Sequence, residues 1–420
     1  MTQAFQNKDL CRVRTITTFI SLEPKKESWK DEILKAASLC THLTDELQLQ
    51  GYQVQSNRIV TNPFGEYLNT QSLEAARCDL RYLNDLLNNI DLTGIRIRFA
   101  IGEAKTQNEI ALIPDLINEF GDLSNVCVNV DLDQNGILNN DLIQHSAEAV
   151  RKISRITPRG EGNFNFTVNF NCMPLIPYFP ASYHRSDLGN RFVIGLETPD
   201  LLVSVLSDYN NQYPNNHKVN YPNKSHNDRF NDYYQIMSQA LQFHISRIQD
   251  IVDKANINEA FIFSGFDSSA APSKDCESMA RVFEEMGVEY FGASGTVEAA
   301  ALLTRVFKSI KGVDLAGFSG LMLALTEDTG LAEGTKNNHY DIRSLLTYSS
   351  VCGIGLDTVP IPGDTSIDKI CALMRDTGTM AFRLNKPLTV RLFPVPGLKA
   401  GDITAFESDD LCNCAVLAVP

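Results

Sequence analysis

The sequence predicts an α/β protein in which helices cover a sheet or a barrel. Short runs rich in β-branched residues, such as Arg12–Ile20, alternate with stretches whose apolar residues recur every three or four positions. Hydrophobic residues make up 43% of the chain and charged residues 21%, which excludes a disordered chain. Repeated strand-then-helix units favour a layered α/β architecture.

The predicted strands and helices, taken in chain order, follow from the β-branched runs and from the helical spacing of apolar residues. The first helix begins after Ser28 and ends at Gly51. The later predicted strands are Tyr52–Val60, Ile95–Ile101, Val126–Val130, Phe164–Phe170, Arg191–Leu196, Ala260–Phe263 and Leu388–Phe393. The later predicted helices are Ser72–Leu87, Ile110–Phe120, Arg229–Ala255, Cys276–Met286, Thr296–Ile310 and Ile367–Met380.

We interpret residues 1–420 as a single domain, because the same β/α pattern stands on both sides of the one clear composition shift. That shift is Ser207–Asp232, a stretch rich in Asn, Pro and Tyr that has no apolar period. A polar stretch of this length inside a compact chain is typical of an insertion or a lid. The sequence therefore predicts one domain with a polar insertion at about 207–232.

The charge balance limits the partners. The chain carries 37 Lys+Arg and 51 Asp+Glu, for a formal net charge of −14. Nucleic acid is excluded because its recognition requires clustered Lys and Arg, and no apolar run is long enough to span a membrane. Most of the ten cysteines lie in apolar runs and no secretory signal is present, so we predict a cytoplasmic protein. We expect a small-molecule ligand and leave a homo-oligomer open.

Residue spacing indicates no metal or cofactor. Asp131–Gly136 begins like a calcium loop, but Leu142 stands where the bidentate Glu would be. Cys412 and Cys414 have no second ligand pair nearby for zinc. The glycine patterns of dinucleotide-binding and phosphate-binding loops are missing. We therefore predict no metal site and leave the cofactor unknown.

A polar loop at the end of the Ala260 strand is the first candidate for a ligand site. It presents Asp267, Ser268 and Ser269, and short polar side chains at a strand end can hydrogen-bond a ligand. A capped turn explains the same residues equally well. We include all three as ligand-binding candidates.

The stretch Tyr348–Thr365, interpreted as a loop, is the strongest candidate. We predict Cys352 and Asp357 as catalytic residues, with Gly353 and Gly355 allowing the backbone to approach a ligand closely. The alternative is a rigid connection between strand and helix.

Carboxylates at the ends of predicted strands suggest the mouth of a barrel that binds a polar molecule. Glu103 and Glu197 each end a predicted strand, and Glu327 follows the apolar run Gly320–Leu325. We predict Glu327 as catalytic, although its neighbourhood also suits a helix cap. The lone His184 is added as a ligand-binding candidate, with a structural role as its alternative.

Five motifs in the same order resemble the domain-of-unknown-function family numbered 711. They are YFPASYH (178–184), FSGFDSSAAPS (263–273), LALTEDTGLAE (323–333), CGIGLDTVPIPGDT (352–365) and RLFPVPGLKAGD (391–402). The resemblance covers nearly the whole chain, from RTITTFIS (14–21) to the C-terminus. Arg391, which opens the last motif, joins the ligand-binding candidates.

The resemblance implies a fold similar to pyruvate formate-lyase and other glycyl radical enzymes, a ten-stranded β/α barrel. The radical motifs themselves are not clear in this sequence. Leu315–Ser319 lacks the Arg-Val of a glycyl radical loop, and no two cysteines are adjacent. We therefore predict an enzyme that binds a small polar metabolite in the barrel, with the reaction unknown. The alternative is a non-catalytic binding or sensor protein on an inherited enzyme fold.

Overall fold

The computed structural model describes residues 3–89, 97–212 and 225–420, which contain nine strands and eleven α-helices. The strands are β1 (Arg12–Ile20), β2 (Asn57–Thr61), β3 (Ile97–Glu103), β4 (Asn125–Val130), β5 (Phe166–Phe170), β6 (Arg191–Glu197), β7 (Ile262–Asp267), β8 (Gly355–Pro362) and β9 (Leu388–Val395). The helices are α1 (Trp29–Leu49), α2 (Leu73–Asn88), α3 (Gln107–Phe120), α4 (Asn140–Ile156), α5 (Pro199–Gln212), α6 (His226–Lys254), α7 (Met279–Glu285), α8 (Thr296–Phe307), α9 (Thr329–Lys336), α10 (Ile342–Ser349) and α11 (Ile367–Arg383).

The nine strands form one mixed sheet in the order β7-β6-β1-β2-β3-β4-β5-β9-β8. Strands β1 to β5 are parallel to one another. Strand β6 runs antiparallel to β1, and β9 runs antiparallel to β5. Each edge strand is parallel to its neighbour, β7 to β6 and β8 to β9. The predicted α/β class is therefore confirmed.

The sheet does not close into the ten-stranded barrel that the family resemblance implies. Its edges are β7 and β8, and segment 314–325 makes one isolated parallel bridge to each of them. Inside this segment Gly317 and Ser319 have φ values of 61° and 39°. Left-handed residues interrupt the extended backbone that a strand requires, so the gap between the two edges contains no tenth strand.

Side chains of the central strands alternate between an apolar face and a polar face. On the apolar face Ile59, Phe99 and Val126 belong to the main core, together with residues of the helices. The opposite, largely buried face has a small apolar cluster of Phe19, Val60, Ala100 and Val193. Its other side chains are polar and include Thr15, Thr17, Arg58, Arg98, Asn125, Thr167, Asn169, Thr389 and Arg391. Parallel strands covered on both faces are usually apolar throughout. A buried polar face of this size therefore marks the place to look for a ligand site.

Loop 171–185 covers the polar face. The Thr17 hydroxyl donates to the carbonyl of Pro177 at 2.9 Å. The Tyr178 hydroxyl donates to the carbonyl of Leu196 at 3.1 Å and accepts from its N–H at 2.9 Å. These bonds join the loop to β1 and β6, so it forms a fixed cover over the sheet.

Most predicted elements are present, and β1 has the predicted limits. Helices α4, α5, α9 and α10 and strand β8 were not predicted. The proposed insertion at 207–232 contains the end of α5 and the start of α6, while its residues 213–224, like Ile95 and Arg96 of the third predicted strand, lie outside the described residues. Among the described helices, none combines the length and apolar character that a bilayer span requires.

Candidate functional site

Three arginines lie at the amino-terminal ends of the parallel strands. Arg58 is the second residue of β2 and Arg98 the second of β3, and the two are direct partners in the strand register. Arg14, the third residue of β1, is the extra residue where the pairing with β6 shifts. Such a bulge redirects a side chain, and Arg14 lines the same cavity as the other two.

The arginines line a small cavity of about 50 Å³ beneath loop 171–185 and segment 314–325. A fourth arginine, Arg391 of β9, also lines it, together with Glu327 and Asp357. The apolar part of the lining comes from Phe164, Phe179, Phe318, Met322, Ala324 and Ile354. A cavity of this volume holds a few water molecules or a ligand of a few non-hydrogen atoms.

Arg391 binds two carboxylates at once. Its Nε donates to Asp357 Oδ1 at 2.6 Å, and its Nη2 donates to Asp357 Oδ2 at 3.0 Å and to Glu327 Oε1. Its guanidinium lies over the Phe164 ring, 5.0 Å from the centroid. Burial lowers the pKa of Arg391, but the two carboxylates more than offset this and raise it. The three charged groups therefore form one fixed unit.

Glu327 is placed in the cavity by the backbone before it. The N–H of Leu325 donates to the carbonyl of Asp357 at 3.2 Å, which aligns the end of segment 314–325 with β8. The next residue, Asp328, caps α9 instead. Burial raises the pKa of Glu327, against the lowering effect of Arg391. A raised pKa brings a carboxyl group closer to the range in which it transfers protons near neutral pH.

Arg58 has no acidic partner. It is 6% exposed and makes no ion pair with a carboxylate in the described part of the chain. Its Nη1 donates to the Pro177 carbonyl at 3.4 Å, its Nε has no partner, and its guanidinium lies 4.9 Å from the centre of the Phe179 ring. Burial and the charges of Arg14 and Arg98 lower the pKa of Arg58 to about 9. A buried cation without a counter-ion is costly, so this position suits an anion.

The neighbouring arginines do have acidic partners. Nη2 of Arg98 lies 3.0 Å from both carboxylate oxygens of Asp410. Nη1 of Arg14 donates to Gln55 Oε1 at 3.1 Å and lies 3.8 Å from Glu197 Oε2. Their charges are partly compensated, and that of Arg58 is not.

The first predicted loop binds the protein itself. Buried Asp267 accepts hydrogen bonds from three backbone N–H groups, two of them in segment 314–325. The Ser268 hydroxyl donates to a backbone carbonyl at 2.6 Å, and Ser269 Oγ accepts from the Gly320 N–H at 3.0 Å. Burial raises the pKa of Asp267 to about 6, while its hydrogen bonds lower it. The three residues position the segment and do not line the cavity.

The second predicted loop, Tyr348–Thr365, contains strand β8 and the end of α10. Asp357 lines the cavity, whereas the fully buried Cys352 does not. Both glycines are approached by protein rather than by open space. A Cβ on Gly353 would lie 2.8 Å from a neighbouring backbone atom, and a Cβ on Gly355 would lie 2.5 Å from the carbonyl oxygen of Thr389. These glycines allow backbones to pack closely.

Glu103 and Glu197 lie at opposite ends of the sheet. Both end their strands, but β6 runs against β3 because it is antiparallel to β1. Glu197 accepts from Arg12 at 2.8 Å and from Gln55 at 2.6 Å. Burial raises the pKa of Glu103, against the lowering effect of the Asn129 amide. The two carboxylates therefore do not line one common site, and only Glu197 lies near the arginines.

His184 lies in loop 171–185, outside the cavity lining. Its ring centroid is 6.1 Å from that of Phe19, and neither ring nitrogen has a hydrogen-bond partner among the residues described. Burial lowers the pKa of His184 to about 4. Its imidazole is therefore neutral above that pH.

We expect the contribution of His184 to the free energy of unfolding to fall as the pH drops from about 6.5 to about 4, because unfolded His184 takes up a proton that the folded protein excludes. A depressed folded pKa means that this stability is complete above the unfolded pKa and is lost on acidification. His184→Phe should flatten the decline, and urea unfolding at several pH values measures it. His244, whose pKa burial also lowers to about 4, continues to contribute in the variant. Identical pH profiles for wild type and variant would contradict this account.

Arg14, Arg58 and Arg98 are the site residues that the sequence analysis missed. Their signal is a single arginine within a strand whose other residues are mostly apolar, as in NRIV (57–60) and IRFA (97–100). A charged residue inside a buried strand seldom occurs without a partner, so this pattern indicates an internal polar face.

The site offers little to a metal or a large cofactor. Within residues 3–89, 97–212 and 225–420, no three His, Cys, Asp or Glu side chains are grouped closely enough to hold a metal ion. The carboxylates of Glu327 and Asp357 are engaged by Arg391. A cavity of about 50 Å³ is far smaller than the pockets that hold nucleotide-sized molecules.

Comparison with known proteins identifies relatives along almost the whole chain. The family model described as Uncharacterised ACR (DUF711) matches residues 5–407. A UPF0210 protein of Clostridium perfringens is 26% identical over 426 residues, which cover 96% of this chain and 88% of the relative. One of Clostridium botulinum is 24% identical over 422 residues, covering 94% and 88%. One of Pyrobaculum islandicum is 30% identical over 298 residues, covering 69% and 61%.

Proposed function

The chain belongs to the uncharacterised ACR family (DUF711), and from this premise we propose that it is an enzyme that binds a small polar metabolite in the arginine-lined cavity. One observation supports the proposal: a small cavity combines the guanidinium of Arg58, whose Nε has no partner, with the carboxyl group of Glu327. Convergent polar groups in an otherwise apolar cavity are typical of ligand sites. All ten cysteines are free, which supports a cytoplasmic location.

In this proposal Glu327 transfers a proton to or from the bound metabolite. Its raised pKa and its place in the lining support this role. Asp357 and Arg391 are positioning residues, since Asp357 is occupied by the guanidinium on both oxygens. The thiol of Cys352, which sequence patterns suggested as catalytic, is outside the cavity and takes no part.

Substituting Glu327 tests the proposed chemistry. A metabolite library is screened by thermal shift, and each stabilising compound is incubated with the protein and followed by mass spectrometry. We expect Glu327→Gln to bind the substrate with an affinity within several-fold of wild type. Its turnover should be at least about 100-fold lower, because a positioned proton-transfer group contributes about 10²–10⁴-fold.

The matched control is Glu333→Gln, which alters an exposed glutamate of α9 that pairs with Lys336 at 3.1 Å. This variant should keep wild-type turnover. Full turnover by Glu327→Gln would contradict the role of Glu327. Ligands that bind but are never transformed would favour the sensor alternative, and a screen without any stabilising compound would contradict the site itself.

A further inference from the structure

We infer that the metabolite is a small monocarboxylate whose carboxylate group binds the guanidinium of Arg58 inside the cavity. The inference rests on the proposed function and narrows it from polar metabolites in general to organic acids with one negative charge. Arg58 carries it because it lines the cavity, is 6% exposed, and has a buried Nε without a partner.

Arg58 has free donors that match a carboxylate. A guanidinium carries five N–H donors, and the hydrogen bond described for Arg58 is the long one from Nη1 to Pro177. The guanidinium carbon of Arg58 lies 4.9 Å from the centroid of the Phe179 ring. Nη1 donates to Pro177 and Nε has no partner, so the Nε side of the guanidinium is the part left for a ligand. Two parallel N–H···O bonds along one side of a guanidinium are the usual way an arginine binds a carboxylate.

The charges around Arg58 favour a ligand with one negative charge over one with two. Each of the other three arginines of the cavity has a carboxylate within 4 Å: Arg391 has two, Arg98 has Asp410 and Arg14 has Glu197. These four carboxylates balance the four arginines as a set, so the need for an anion is local to Arg58, whose guanidinium has no ion pair among the described residues and whose Nε has no partner. A phosphate dianion would add a second negative charge next to Glu327, and like charges in a buried site repel strongly.

The size and the lining of the cavity favour a short carbon chain. Its volume of about 50 Å³ corresponds to about three to five water molecules, because each water needs about 10–15 Å³. Aromatic and aliphatic side chains form much of the remaining lining. An acid of about two to four carbon atoms fits this volume, with its carboxylate at Arg58 and its chain against the apolar side chains.

Titration calorimetry with small acids tests the inference. The probes are acetate, propionate and butyrate, with propanamide as the uncharged match of propionate and inorganic phosphate as the dianion, all at constant ionic strength. We expect the three acids to bind and to raise the melting temperature. Propanamide and phosphate should bind at least about tenfold more weakly, since a hydrogen bond to a charged group is worth roughly tenfold or more in affinity.

Arg58→Met identifies the site. It should weaken propionate binding by about tenfold to a hundredfold, and it should fold normally because it removes an uncompensated buried charge. Arg185→Met is the control, since Arg185 is exposed, pairs with Asp187 and lies outside the cavity lining. If Arg58→Met fails to fold, the comparison of propionate with propanamide on the wild type decides alone.

Unchanged propionate affinity in a folded Arg58→Met would overturn the inference. So would tight phosphate binding without acid binding. Binding of neutral polar compounds alone would overturn this inference and leave the proposed function standing. Protein that binds no small molecule at all would overturn both.

Discussion

Arg391→Met is expected to lower the free energy of unfolding by about 3–5 kcal/mol, because it leaves buried Asp357 and partly buried Glu327 without their cation. Arg391 is 4% exposed and binds Asp357 through both oxygens and Glu327 through one. Removing one member of a buried charged group exposes the desolvation penalty of those that remain. Urea unfolding at neutral pH measures the loss.

A combined variant separates charge from packing. Arg391→Met together with Asp357→Asn and Glu327→Gln removes all three charges, and we expect it to recover much of the lost stability. Arg185→Met, which breaks an exposed pair with Asp187, should change the free energy by no more than about 0.5 kcal/mol. If Arg391→Met cost as little as Arg185→Met, the charged unit would not be a structural element of the site.

Gly355→Ala is expected to lower the free energy of unfolding by about 2–5 kcal/mol, because two penalties act together. Gly355 has φ 96°, and an added Cβ would lie 2.5 Å from the carbonyl oxygen of Thr389 in the adjacent strand. The left-handed backbone contributes about 1–2 kcal/mol, and crowding of a packed interior adds about 1–3 kcal/mol. Thermal and urea unfolding of the variant provide the value.

Gly312→Ala is the matched comparison for the backbone term alone. Gly312 has φ 76°, and nothing lies within 4 Å of its Cβ position. It should therefore lose only the cost of the left-handed conformation, about 1–2 kcal/mol. Equal losses for the two variants would show that β8 moves aside for the methyl group without penalty.

Local pattern was sufficient to predict most of the fold. Strand β1 has the limits predicted from RVRTITTFI. Its β-branched residues favour a buried strand, and this preference can be read from the segment alone. Strand β8 was missed because Pro360 and Pro362 resemble loop residues. It lies at the sheet edge, where a strand tolerates proline. Edge position depends on the whole topology and cannot be read from the segment. That residues 1–420 form one domain stays a prediction.

The candidate site was predicted only in part. Glu327, Asp357 and Arg391 come together in the cavity, and each belongs to a motif that sequence analysis singled out. Asp267 and Cys352 were proposed for the same chemical reasons, yet they lie outside the lining. Polar residues at strand ends can bind a ligand or bind the chain, and only tertiary packing decides between the two.

The polar face is completed by contacts between residues far apart in the sequence, and this affects when they can form during translation. Arg98 and its partner Asp410 are 312 positions apart, and at about 5–20 residues per second the ribosome takes roughly 15–60 s to synthesise the chain between them. During that interval Arg98 is without the acidic partner that it has in the finished protein. The Arg98–Asp410 pair can therefore form only near the end of synthesis, although Arg14, Arg58 and Arg98 are among the first residues to be made.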